Sequence, residues 1–166
     1  MTAPVIIVGG GPAGSSTAWH VARTGAGADV VVLDRARFPR DKPCAEYLSP
    51  EASRVLASMD ALAACEAAGA AQLSGMVVRS PNGAQLRGDF AAAHGFSGFR
   101  DRGLALRRTV LDAILLDRAR AAGARVVEGV RVTDVVRDAG GAVAGVRTLD
   151  DAGRAREWPA SLVIGA

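Results

Sequence analysis

A chain of 166 residues, 49% of them hydrophobic, is long enough for one compact domain with its own core, or for part of a larger one. Aromatic residues supply only 4% while glycine reaches 20 copies, so the core must be built mainly from Ala, Val and Leu, as where helices pack closely on a sheet. The net charge of +3 comes from arginines interleaved with Asp and Glu, which argues against nucleic acid, and no apolar run approaches a membrane span or follows a basic leader.

Val5 to Val8 has no polar alternation and runs into three glycines, which predicts a short buried strand. Pro12 to about Arg23 turns helical, and Val30 to Leu33 is a second uninterrupted apolar strand, completing a βαβ unit with a right-handed crossover. The connection "TGAGADV" between them is expected to form a longer helix end or a small bulged loop. Arg35 to Leu48, with Pro39 and Pro43, reads as irregular loop. Ser49-Pro50-Glu51 then looks like a helix start, with the helix broken near Asp60 and running to about Ala68. Asn82-Gly83 predicts a hairpin turn between two short strands. The segment "AAAHGFSGFRDRG" is expected to be loop, and Arg108 to Ala122 a helix stopped by Gly123. Arg125 to Glu128 fits a further parallel strand, the Val-polar alternation after it a three-stranded antiparallel meander, and Leu162 to Ile164 another buried strand.

Gly9, Gly11 and Gly14 satisfy G-x-G-x-x-G between a strand and a helix that opens on Pro12-Ala13. The first glycine permits the tight turn, the second a close backbone approach to a diphosphate, and the third close packing of helix on strand. The diphosphate would rest on the helix N-terminus, where unpaired N–H groups and the dipole favour negative charge. Asp34 stands 20 residues beyond Gly14 at the end of the second strand, placed to accept hydrogen bonds from ribose hydroxyls and to repel the 2′-phosphate of NADP.

The stretches "VGGGPAGS", "VVVLDRARFPRDKPCAEYLSP", "LALRRTVLDAILLDRARAAGARV" and "SLVIGA" together resemble successive landmarks of the p-hydroxybenzoate hydroxylase-like flavoproteins. The "FPRDKPC" to "LSP" piece is most similar to the geranylgeranyl reductase-type branch. The resemblance covers the whole chain but only the N-terminal part of such proteins. It implies a three-layer, Rossmann-like α/β FAD-binding fold, a parallel sheet interrupted by the meander, incomplete at its C-terminus. Residues 73–103 would contribute to a substrate-domain sheet, and "SLVIGA" would be a truncation just before an expected Asp-Gly. The resemblance places Gly9, Gly11, Pro12, Ala13 and Gly14 at the FAD diphosphate, and Asp34 and Arg35 at the adenosine. Arg108, with Arg107 as the alternative register, would stand at the phosphate or ribityl part, and Arg40 and Lys42 toward the flavin half.

Cys44 occupies the position of a cysteine near the flavin in the reductase branch and is the one candidate catalytic residue, although Ala45-Glu46-Tyr47 replaces the usual Gly-rich continuation. Cys65, on an Ala-rich helix, is read as packing, the two cysteines form no disulfide framework, and His20 and His94 lack partners at metal-ligand spacing. The implied activity is that of an FAD-dependent oxidoreductase. It either reduces an isoprenoid-type double bond or hydroxylates as a monooxygenase, with NAD(P)H as a possible electron donor. The implied partner is a small-molecule substrate, lipid-like or polyketide/aromatic, in a cytoplasmic protein that lies peripheral to a membrane if the substrate is isoprenoid. Two rival readings are an NAD-dependent dehydrogenase, which would need a catalytic set that Tyr47, the only tyrosine, does not complete, and a non-catalytic nucleotide-binding remnant.

Overall fold

The computed structural model describes residues 3–24, 29–44, 46–91 and 97–166. Its centre is a parallel sheet of β1 (Val5–Val8), β2 (Val30–Asp34), β8 (Arg125–Glu128) and β12 (Leu162–Gly165), in the order β12-β1-β2-β8. All five residues of β2, flanked on both edges, are buried. Strand alternation sends its neighbours to opposite faces. Ile7, Val30 and Val32 pack with Ala18 of α1 (Pro12–Arg23) and with Leu116 and Ala119 of α4 (Arg108–Ala121). Ile6, Val31 and Leu33 face the other way, onto Val146, Trp158 and Ala160. Val146 and Trp158 belong to the antiparallel meander β9 (Val130–Arg137), β10 (Val143–Asp150) and β11 (Ala155–Pro159). Helices, parallel sheet and meander are therefore three layers, as the family resemblance implies.

A second core lies under α4. Leu111 and Leu115 pack on Leu56 and Met59 around α2 (Ala52–Ser58), on Cys65 of α3 (Leu62–Ala67), and on Leu104. The expected break at Asp60 is present as a left-handed residue, φ 54°, between α2 and α3. The helix start falls slightly later than expected. Ser49 Oγ accepts from the Ala52 N–H at 3.2 Å, and the helix begins at Ala52.

Three short strands were not expected: β3 (Tyr47–Leu48), β4 (Ala71–Leu73) and β7 (Gly103–Ala105) form their own sheet in the order β3-β7-β4. The predicted hairpin is present as β5 (Gly75–Arg79) paired with β6 (Gln85–Asp89). The expectation of a buried strand at Leu162 is corrected. β12 has a neighbour on one edge only, and Leu162 is 53% exposed. The expectations for the "TGAGADV" connection and for His94 fall on residues outside those described.

Candidate functional site

The strand-to-helix turn after β1 is shaped by its glycines. Gly9 has φ 110°, in the region that favours glycine. A Cβ on Gly14 would collide with the Gly9 carbonyl oxygen, so the third glycine is what lets α1 lie against the end of β1. Gly11 differs from both. Its φ is an ordinary −71°, and a Cβ there would meet only guanidinium nitrogens, Arg40 Nη2 at 3.5 Å and Arg108 Nη2 at 3.8 Å.

The two peptide units that flank Gly10 are each held by a side chain. Asp34 Oδ2 accepts from the Gly10 N–H at 2.6 Å, and the Gly10 carbonyl accepts from Ser15 Oγ at 3.0 Å. The other oxygen of Asp34 accepts from the Ala36 N–H at 2.7 Å, so this buried carboxylate ties the glycine turn to the loop that follows β2. That loop is held again farther along, where the Phe38 N–H donates to Glu128 Oε2 at 3.2 Å and the Phe38 ring packs into the helix-side core. The Arg40 guanidinium lies over the Phe38 ring, 4.9 Å from its centroid.

Two cations are thereby brought over the start of α1. Arg108, first residue of α4, donates from Nε and Nη2 to the two oxygens of Asp112, at 2.6 and 2.8 Å. Arg40 Nη1 approaches Asp112 Oδ2 at 3.2 Å from the other side. The hydrogen bonds to Asp112, with a further one involving Cys44, hold the Arg108 guanidinium well above its ordinary pKa range, so it stays charged. Arg40 Nη1 is buried, and its contact with Asp112 Oδ2 is that of an ion pair and not of an aligned hydrogen bond. Two guanidiniums whose Nη2 atoms stand over a helix N-terminus fit an anionic ligand group. The diphosphate of a dinucleotide is such a group, and Gly11 leaves the backbone open to it.

The start of α1, Asp34, Arg40 and Arg108 line a cleft of about 730 Å³. Nine of the sequence-predicted positions border it: Gly9, Gly11, Pro12, Ala13, Asp34, Arg35, Arg40, Lys42 and Arg108. Gly14 does not, being buried in the contact of α1 with β1. Arg107 is exposed ahead of α4 and lies outside the lining, so of the two registers it is Arg108 that reaches the cleft. Cys44 is exposed and also outside the lining, although it interacts with Arg108. Cys65 is buried, and burial pushes its thiol pKa up, as expected of a packing residue. His20 contacts the Ser16 carbonyl and Ser58 Oγ, and no metal-binding cluster occurs among the described residues.

Sequence reasoning missed two parts of the site. One is Asp112, although the Arg108-Asp112 spacing of four is that of a helical ion pair. The other is the start of the meander, where Val130, Arg131 and Val132 close the far wall. Nothing local in "VRV" signals that position, which exists only because β9 turns back over the end of β2.

Residues 2–166 match a family model described as an FAD binding domain. The menaquinone reductase of Mycolicibacterium smegmatis is 38% identical over 152 residues, 90% of this chain and 34% of that protein. The geranylgeranyl diphosphate reductase of Rhodobacter capsulatus is 36% identical over 134 residues, 81% of this chain and 29% of that protein. The chain thus spans about a third of the length of these curated relatives. Among solved structures, the myxobacterial chondrochloren halogenase CndH superposes with a TM-score of 0.85 at 25% identity, over 99% of this chain and 37% of that one. A geranylgeranyl bacteriochlorophyll reductase-like protein from Thermoplasma acidophilum shares the fold, with a TM-score of 0.79 at 24% identity, over 99% and 39%.

Proposed function

We propose, from the premise that this chain belongs to the FAD-binding domain family and takes FAD as its cofactor, that its cleft holds the ADP half of FAD in an oxidoreductase acting on an isoprenoid-type substrate. Bound FAD supplies the electron-transfer chemistry. The protein's part is to bind and orient it. The α1 N-terminus at Gly11, Pro12 and Ala13, with Arg40 and Arg108, receives the diphosphate, while Asp34 and Arg35 stand at the ribose end. Lys42 extends the same wall toward the flavin half, Cys44 contacts Arg108 from outside the lining, and NAD(P)H serves as electron donor. Residues 73–103 begin the substrate-domain sheet. A cytoplasmic position, peripheral to a membrane, suits an isoprenoid substrate, and no described helix is long and apolar enough to cross one.

The observation that carries this reading is the pair of guanidiniums above Gly11. Similarity to two named reductases of isoprenoid compounds favours reduction over hydroxylation. The test is a flavin-fluorescence titration of the purified protein and of Gly11→Val. No neighbour closer than 3.4 Å and no unusual φ oppose a side chain at Gly11, so the variant should fold as wild type does. Its branched side chain should fill the space in front of both arginines and abolish FAD binding. A Gly11→Val protein that still purifies yellow would sink the assignment of the cleft. Anaerobic reoxidation of the reduced flavin by an isoprenoid substrate separates reduction from hydroxylation, which requires oxygen.

A further inference from the structure

Asp112 lies outside the glycine turn, and binding an anion calls for no carboxylate. Yet it is 0% exposed, on the α4 face that meets the 35–40 loop, with a guanidinium on each side. A buried carboxylate is tolerable only when paired and hydrogen-bonded. Here one carboxylate serves two cations. Arg108 takes both oxygens in a bidentate fork, and Arg40 approaches Oδ2 at 3.2 Å. The two guanidiniums would otherwise repel each other above Gly11, and the three groups together carry one net positive charge.

We infer that Asp112 is a positioning residue of the cofactor site, holding Arg40 and Arg108 side by side so that both address the FAD diphosphate. The inference rests on the FAD reading above and adds to it a residue that never meets the cofactor. Two effects of removing the carboxylate oppose each other. The positive potential in the cleft rises, which by itself favours an anion. Against this, two long side chains lose their anchor and must be ordered again by the ligand. The second effect wins, because Arg108 is fixed by a geometric fork and not by charge alone, and Arg40 would keep its ring contact with Phe38 but lose its ion pair.

The measurement is the affinity of wild type, Asp112→Asn, Arg40→Gln and the double variant for FAD, by flavin-fluorescence quenching, and for ADP, by competition as a flavin-free probe. Circular dichroism and the urea midpoint report the fold. Asp112→Asn is isosteric and should weaken both ligands at least about tenfold. The double variant should bind little worse than either single one, because both changes disable one device. A merely structural role would instead give losses that multiply, and that result overturns the inference. So does an Asp112→Asn protein that binds FAD and ADP unchanged or more tightly. If Asp112→Asn does not fold, Arg40→Gln and Arg108→Gln carry the same cycle, and coupled losses support the shared anchor while independent ones refute it. Wild-type protein that binds neither ligand overturns the FAD reading itself, a result distinct from all of these.

Discussion

Asp34 gives both carboxylate oxygens to backbone amides, those of Gly10 and Ala36, before any ribose is considered. It is therefore a structural residue as well as a proposed ligand. Asp34→Ala should destabilise the cofactor-free protein by about 1–3 kcal/mol, the effect of leaving buried amides unpaired, in urea unfolding with an unchanged m-value. A carboxylate that only met the ribose would leave the cofactor-free protein untouched. The sequence made Asp34 findable through its distance from the glycines and its place at the end of an apolar run. It could not show the turn of the Gly10 amide toward it, because the direction of that N–H is set by the path of the turn after Gly9, whose φ is 110°. Asp112 shows the same limit. Its pairing with Arg108 follows from helical spacing, whereas its second partner, Arg40, arrives from a loop 72 residues earlier in the chain.

At the scale of elements, α1 lies so near the end of β1 that Gly14 leaves no room for a side chain. Gly14→Ala would gain helix propensity on its own, but its methyl group must push against the Gly9 carbonyl, a rigid backbone atom. The expected net effect is a loss of about 1–3 kcal/mol, visible as a lowered thermal midpoint with or without FAD. This contrasts with Gly11→Val, expected to spare stability and remove binding, so the two glycines of one motif are separable by experiment. The longer elements were readable because each carries its own periodicity and stop, as with Gly123, φ 103°, after α4. β3, β4 and β7 were not, since two or three residues hold no period and owe their extended form to partners elsewhere, Tyr47 pairing with Ala105 and Gln72 with Leu104.

Across the whole molecule, the buried cores are gathered under the helices and between the sheets, and the β5-β6 hairpin stands apart from them. The register pairs Val78 with Leu86 and puts Met76 on the same face, and all three are exposed, Leu86 to 72%. An apolar face of this kind calls for cover, and self-association at high concentration is expected. Val78→Thr with Leu86→Gln should lower the sedimentation-average mass while leaving FAD affinity unchanged. Equal association in the variant would clear this face of the role. The sheet order carries a consequence for synthesis. β1 emerges long before its β12 partner, which lies far down the chain; the neighbouring Ser161 to Pro4 hydrogen bonds span 157 residues. At ribosomal speed, that interval leaves one edge of β1 unzipped for roughly 10–30 s of translation. Such non-local closure is slow even after synthesis, so the nascent protein passes through a window in which β1 is a template for the wrong partner.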